Sequence, residues 1–135
     1  MLLGAMLAGQ SFANAPCAAV HALAYPLGAR FHVTHGLSNA MLLAPVLRFN
    51  KSRAESEYAR LGEVVFGDAT AEALITGFGK LGPSLGLPAR LREIGIVEDD
   101  LPIMAADSMA QTRLLQNNPR EITEADALEI YRAAW

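Results

Sequence analysis

The chain has 135 residues, of which 52% are hydrophobic and 19% are charged, a size and composition that fit one compact domain with an apolar core. Its net charge is −3 and its 11 Lys and Arg residues are scattered, so the sequence offers no basic patch for nucleic acid. Cys17 is the only cysteine, which excludes an internal disulfide and a zinc site built from cysteines alone. A single thiol suits a reducing compartment, so we expect a cytoplasmic protein.

The first fifteen residues have the apolar run and the A-x-A ending of a signal peptide. They lack the positively charged start that such peptides carry, and Gln10 interrupts the apolar stretch. His21 and Arg30 interrupt the next apolar stretch, so no run reaches the roughly 18 residues that a membrane span requires. We therefore expect neither export nor insertion into a membrane.

The segment from Met1 to Phe12 opens a region of about fifty residues that is apolar on nearly every side of its predicted helices. Ala15–Ala29 and Ala40–Leu47 have the same character. Helices of this kind are normally buried. Three of them are a large apolar load for a chain of this size, which indicates that some of their partners are missing.

Three further helices are predicted in the middle of the chain. Ser52 and Glu55 have the spacing of a capping box, so one helix is expected to start there. Its expected inner face comprises Ala54, Tyr58, Leu61 and Val65. The expected inner face of the next helix comprises Leu74, Phe78, Leu81 and Leu85. A third begins near Glu98, with Pro102 in its first turn.

The end of the chain carries the clearest helix signal. Thr123 and Asp126 form a second capping-box pattern, with Ile122 and Ala127 spaced as a hydrophobic staple. The predicted inner face of this last helix comprises Ala127, Leu128, Tyr131, Ala134 and Trp135. No segment alternates strictly between apolar and polar residues, so the sequence predicts an all-α fold.

Three histidines, His21, His32 and His35, lie within fifteen residues of one another. Imidazole is a good ligand for iron(II) or zinc, and metal sites need several such donors that converge. Pro26 and Gly28 loosen the predicted helix that carries His21. A helix–bend–helix of this kind can direct two imidazoles to one point. The spacing alone leaves open whether these histidines bind a metal or serve as core and capping residues.

The string HALAYPLG, followed by HGLSNA and then VLRFN, resembles the second signature of the iron-containing (group III) alcohol dehydrogenases. The likeness continues through AGQSFANAP and GLPARLREIGI, and NNPREIT and IYRAAW look like the C-terminus of that family. The resemblance implies that residues 1–135 form part of the helical, metal-binding C-terminal domain of the dehydroquinate synthase-like fold. The family's N-terminal nucleotide-binding domain has no counterpart in the sequence.

The resemblance also implies roles for individual residues. The first histidine of the signature and the histidine that opens HG-x-x-NA are metal ligands in the family, and they match His21 and His35. Tyr25 stands where many members carry a second histidine that is thought to relay protons, and a phenol releases its proton less readily than an imidazole. Phe12 matches a position that lines the nicotinamide pocket in some members, although a core aromatic is an equally good interpretation.

Two further segments have no ligand role by resemblance. His32 is expected either to support the metal site from behind its ligands or to lie on the surface. The NNPRE run from Asn117 to Glu121 either approaches the substrate pocket or forms a turn before the last helix.

The activity that the resemblance implies is hydride transfer between a small alcohol or aldehyde and NAD or NADP, with Fe(II) or Zn(II) at the metal site. The family's other two ligands, an Asp and a His four residues apart, have no counterpart before Met1, so the chain is expected to be inactive alone. Three interpretations stay open: a truncated enzyme, one chain of a split enzyme, or a helical interaction module with structural histidines. In each, stranded apolar helices predict a homo-oligomer, most simply a dimer through the N-terminal helices.

Overall fold

The computed structural model describes residues 1–135 and is helical throughout, with no β-strand. Its helices are α1 (Leu2–Asn14), α2 (Ala19–Phe31), α3 (His35–Phe66), α4 (Ala71–Ser84), α5 (Leu101–Ser108), α6 (Thr112–Leu115) and α7 (Glu124–Ala134). Two short 3₁₀ segments, Leu91–Ile94 and Glu98–Asp100, lie between α4 and α5. The predicted all-α class is confirmed. No helix combines the length and the apolar character needed to cross a membrane.

The main core lies between α2, the first half of α3, α5 and α7. Tyr131 of α7 is fully buried in it, and its hydroxyl donates a 2.6 Å hydrogen bond to the Leu23 carbonyl of α2. Burial raises the pKa of the Tyr131 phenol well above its ordinary value, so the hydroxyl remains a donor at neutral pH. This bond and the surrounding apolar contacts fix α2 against α7.

Both helix starts predicted near the end of the chain are confirmed. Thr123 caps α7 by accepting from the Asp126 amide, and the Asp126 carboxylate accepts from the Thr123 amide in return. Ile122 and Ala127 are both buried, as the staple requires. Pro102 lies in the first turn of α5, directly after the 3₁₀ turn that begins at Glu98.

The helix start predicted at Ser52 is wrong, because Ser52 lies inside the long helix α3. Its amide is already in the helical ladder that begins at His35, so there is no unpaired helix end for a cap to satisfy. The helix is kinked two residues later, at Ala54, which has φ −135° and ψ 25°. The capping-box spacing at Ser52 therefore lies beside a kink in α3 and not at the start of a helix.

The second half of α3 and α4 form a hairpin with a small core of its own. The two helices approach closely at Gly62, where an added Cβ would lie 2.5 Å from the Thr70 carbonyl oxygen. They also meet at Gly77, which the Phe66 ring covers. Contact through these glycines decides which faces of the hairpin turn inward.

The predicted inner faces of this hairpin are only half right. Ala54, Tyr58 and Leu74 are buried and Phe78 is partly buried, as expected. The other predicted members, Leu61, Val65, Leu81 and Leu85, are exposed. They are exposed because the helices pack along their glycine-bearing faces. A prediction based on the spacing of large apolar residues does not detect such faces.

The apolar surface expected to be left without partners lies on α1. None of its residues is buried, and Leu3 and Phe12 are 66% and 58% exposed. The burial expected of all-round apolar helices holds for the inward-facing residues of α2 and for Met41, Leu42 and Val46 of α3. Within these 135 residues, nothing covers α1.

Candidate metal site

Helices α2 and α3 bring His21 and His35 together by way of a sharp reversal. His32 ends α2 in the left-handed conformation, with φ 54°, and Val33 donates a hydrogen bond back to the Leu27 carbonyl. Thr34 is extended and leads into α3, so the chain runs back along α2 before His35 opens the new helix. The thirteen residues between the two histidines therefore contain a reversal that brings the two rings together.

The imidazole rings of His21 and His35 have centroids 5.1 Å apart, with their planes inclined at 54°. Nitrogen ligands lie about 2.0–2.1 Å from zinc, so two imidazoles on one tetrahedral ion would have ring centroids roughly 5 Å apart. The observed separation matches that spacing.

The protonation state of His21 also favours metal coordination. Partial burial, and secondarily the neighbouring His35, lowers the pKa of His21 below its ordinary value. A lowered pKa keeps the ring neutral at pH 7. A neutral imidazole has the lone pair that metal coordination requires.

Asn39 contacts the second ring. It lies one helical turn after His35, and its Nδ2 is 3.0 Å from His35 Nε2. The other amide atom, Oδ1, is buried and has no hydrogen-bond partner within the chain. With the amide in this orientation, Nε2 accepts the bond through the lone pair that a metal ion would need. If the amide is turned over, Oδ1 gains the ring Nε2–H as its partner and the lone pair on Nδ1 is free for a metal ion.

Tyr25 and His32 are both solvent-accessible. Tyr25 lies one turn after His21 on α2, and its side chain is 54% exposed. His32 is exposed in the turn between the helices. Because that turn is not helical, His32 does not share a helical face with His35.

Phe12 lies in the second half of α1 and is exposed. The interpretation of Phe12 as a core aromatic is therefore excluded within this chain. Its proposed place near a nicotinamide needs a surface that the 135 residues do not include.

The chain provides no group of three or more His, Cys, Asp or Glu side chains that could hold one metal ion. His21 and His35 are thus a two-ligand set. A catalytic metal site generally has three protein ligands and an open position. Further donors would have to come from outside these residues.

A cavity lies elsewhere in the molecule. It has a volume of about 480 Å³ and opens between α3, α4 and α7, where Ala44, Phe78, Gly82 and Ile130 line it. Neither His21 nor His35 lines this cavity. It is therefore separate from the histidine pair.

Asn39 was not predicted as a neighbour of the histidines. The signal was available, because a residue four positions after His35 in a helix must lie on the same face. The run at Asn117 forms a turn, as one of the two interpretations held, and Asn117 donates to the Cys17 carbonyl next to α2. No local pattern could have shown that contact, since it joins residues 100 positions apart.

Comparison with solved structures supports the fold. An alcohol dehydrogenase from Oenococcus oeni superposes with a TM-score of 0.85 and 29% identity, over 96% of this chain and 36% of that one. Among curated proteins, lactaldehyde reductase of Escherichia coli K12 is 34% identical over the whole chain and 37% of its own length. Long-chain-alcohol dehydrogenase 1 of Geobacillus thermodenitrificans is 37% identical over the whole chain and 36% of its own length.

The helical fold is thus similar to that of part of an alcohol dehydrogenase. The family model described as "Fe-containing alcohol dehydrogenase family, C-terminal" matches residues 1–135. The chain belongs to this family, which confirms the resemblance seen in its motifs. It spans about a third of the length of the curated relatives that it matches.

Proposed function

We propose that this chain contributes two histidine ligands to the metal site of an NAD(P)-linked alcohol dehydrogenase and does not catalyse the reaction alone. The observation that carries the proposal is the convergence of His21 and His35, from two helices, at a spacing that fits one ion. The named relatives reduce lactaldehyde or act on long-chain alcohols. The substrate class is accordingly an alcohol or its aldehyde.

In this proposal His21 and His35 hold Fe(II) or Zn(II), and Asn39 orients the His35 ring. When bound, the metal polarises the alcohol oxygen as a Lewis acid, and the nicotinamide accepts the hydride. Tyr25, one turn from His21 and exposed, orients a water molecule or the substrate hydroxyl. It is a slower proton relay than an imidazole at that position would be.

The nicotinamide cofactor, NAD or NADP, is bound mainly by a domain outside these 135 residues. Residues 1–135 match only the C-terminal region of the family, and they form an all-α unit. Phe12, exposed on α1, would then face the nicotinamide. We expect the complete enzyme to act in the cytoplasm, because a reducing compartment suits a chain with one cysteine.

The histidine pair can be tested in the chain as it stands with copper(II)–iminodiacetate, a capped ion that has positions left for two imidazoles. Two convergent imidazoles should bind it about 100-fold more tightly than one, because the second contact is intramolecular. His21→Ala and His35→Ala should each remove that gain, whereas the control His32→Ala should retain it. Equal binding by all four proteins would contradict the shared site.

Catalysis needs a second experiment. The chain alone, with iron(II) or zinc, NAD or NADP and a panel of alcohols, should show no turnover, since two ligands do not complete the site. A chimera that carries residues 1–135 in place of the matching region of E. coli lactaldehyde reductase should be active. His35→Ala should abolish that activity and His32→Ala should not. Metal-dependent turnover by the chain alone would refute the proposal.

A second candidate role, as an interaction module, is favoured by the exposure of α1. Leu2, Leu3, Met6, Leu7 and Phe12 are all at least half exposed, which is unusual for large apolar residues on one helix. We propose that a second copy of the chain covers this helix and forms a two-fold dimer. Such a dimer would form in the chain alone, because in the complete enzyme the same helix would carry Phe12 towards the nicotinamide.

Light scattering after size-exclusion chromatography tests the dimer. We expect a mass about twice the 14.4 kDa of the chain. Leu7→Glu should shift it to the monomer, because a charge cannot be buried in an apolar interface without a large cost. Leu85→Glu, at a residue exposed on another part of the surface, is the matched control. A monomer of 14.4 kDa at high concentration would contradict self-association.

A further inference from the structure

The turn at residues 117–120, between α6 and α7, joins segments that are far apart in sequence. Asn117 Nδ2 donates to the Cys17 carbonyl at 3.1 Å, and also to the Arg113 carbonyl of α6 at 2.9 Å. Cys17 lies two residues before α2 begins. The turn thus holds the entrance to the helix that carries His21.

The same turn also holds the middle of α3. The amides of Asn118 and Asn50 donate to each other, at 2.9 and 2.7 Å. The Arg120 guanidinium lies 3.8 Å over the Phe49 ring and donates to the Phe49 carbonyl at 3.2 Å. Residues 117–120, which we name the clasp, therefore connect the start of α2 with the helix that carries His35.

The first turn of α2 is held by apolar burial of Ala19 and Ala22, and it has few polar contacts that would set its exact position. Its N-cap, Ala18, offers no side-chain cap, and α1 has no buried residue that could brace the connection. The Asn117 bond is the only side-chain hydrogen bond made to residues 15–20. His21 lies in this turn, so whatever fixes the turn also fixes one of the two rings.

We propose that Asn117 is a positioning residue for the metal site: by anchoring the Cys17 carbonyl, it sets the first turn of α2 and hence the place of His21 relative to His35. Asn117 bonds only to backbone carbonyls and touches neither ring. The inference rests on the proposed role of the histidine pair. It adds that the pair is preorganised from a segment near the other end of the chain.

Three variants of the whole chain separate positioning from general stability. Asn117→Asp keeps the side-chain shape but replaces the amide donor with an acceptor, so the bond to the Cys17 carbonyl is lost. Gln116→Ala, an exposed neighbour with no side-chain hydrogen bond, is the matched control. Asn50→Ala breaks the other arm of the clasp and lowers stability without touching the bond to Cys17. The measurements are the melting temperature, the affinity for copper(II)–iminodiacetate and the amide exchange rate of Ala22.

We expect Asn117→Asp to weaken chelate binding about 10- to 100-fold, the usual range when a supporting contact of a metal ligand is lost. Exchange of the Ala22 amide, which donates to the Ala18 carbonyl in the first turn of α2, should become faster. Gln116→Ala should match the unsubstituted chain, and Asn50→Ala should lower the melting temperature while retaining tight chelate binding. Unchanged chelate binding by Asn117→Asp, or an equal loss in Asn50→Ala, would overturn the inference.

A separate outcome would show that the histidine pair does not bind metal, whatever the role of Asn117. If the unsubstituted chain binds the chelate no better than His21→Ala does, the histidine pair is not a site. Amide exchange then decides whether the anchor exists. An Ala22 exchange rate that is unchanged in Asn117→Asp would show that Asn117 does not hold the start of α2.

Discussion

Helices α1 and α2 form an instructive pair. Each has 13 residues, each is rich in Ala and Leu, and each is apolar on nearly every side. In the structure six residues of α2 are buried and none of α1 is. The difference lies in their neighbours, since α2 packs against α3, α5 and α6, whereas α1 packs against no other helix to a comparable extent.

This contrast shows what apolar composition can and cannot predict. An all-round apolar helix indicates that burial would be favourable, because each apolar residue that leaves water stabilises the fold. The composition does not say whether the covering surface belongs to the same 135 residues. For α2 it does, and for α1 we propose that a second copy supplies it.

Hydrogen exchange should show the largest difference between the two helices. At concentrations low enough for a monomer, α1 has only its own hydrogen bonds, and an isolated helix of this length is marginal in water. Core amides of α2, such as that of Leu27, should exchange at least about a thousandfold more slowly, because they open only with the whole fold. Equal protection of both helices at low concentration would mean that α1 packs against the chain itself.

Matched leucine substitutions should give the next largest effect. Leu23→Ala, at a residue with no exposed surface, should lower the free energy of unfolding by about 2–5 kcal/mol, because it leaves a cavity in the core. Leu7→Ala, in α1 and 53% exposed, should change it by less than about 0.5 kcal/mol. Urea denaturation of the monomer measures both, and similar losses would contradict the comparison.

The predictions that succeeded from sequence depend on residues within a few positions of one another. The cap at Thr123 and the start of α5 at Pro102 need only local hydrogen bonds and backbone geometry. Neighbouring residues are therefore enough to predict them. The proximity of His21 and His35 was implied by the family resemblance and not by a local pattern. The bend predicted at Pro26 and Gly28 is wrong, because α2 continues through both residues and the chain reverses at His32.

The failures arise where distant residues decide the outcome. Leu61 and Val65 are exposed because α4 packs on the Gly62 side of α3, and no period of large apolar residues encodes that choice. The bond from Asn117 to Cys17 likewise spans 100 positions. A sequence of this kind thus predicts helices and their caps well, and predicts which faces meet much less well.

A smaller effect should come from the hydroxyl that joins α7 to α2. Tyr131→Phe removes the 2.6 Å bond to the Leu23 carbonyl and leaves that buried acceptor with one partner fewer. We expect a loss of about 1.5 kcal/mol in the free energy of unfolding, with little change in the packing of the ring. Tyr25→Phe, at an exposed position of the same helix pair, is the control. No loss in Tyr131→Phe would show that water replaces the hydroxyl.

The smallest effect is expected at the cap of α7, where the loss in the free energy of unfolding depends on pH. Hydrogen bonds from the Thr123 hydroxyl and then from the Thr123 amide, with a further contribution from Arg120, hold the pKa of Asp126 below its ordinary value. A carboxylate with a depressed pKa stabilises the fold at neutral pH, and that stabilisation is lost as the pH falls through its folded-state pKa.

Thr123→Ala should therefore lower the free energy of unfolding by about 1 kcal/mol at pH 7, the usual cost of a lost helix cap. Below the folded-state pKa of Asp126 the difference should shrink, because the protonated side chain no longer accepts both bonds in either protein. Urea denaturation at several pH values between about 7 and 2 measures the trend. Thr112→Ala, which removes a hydroxyl with no hydrogen bond, should have no such dependence. A loss in Thr123→Ala that stays constant across this range would show that the carboxylate contributes nothing to the cap.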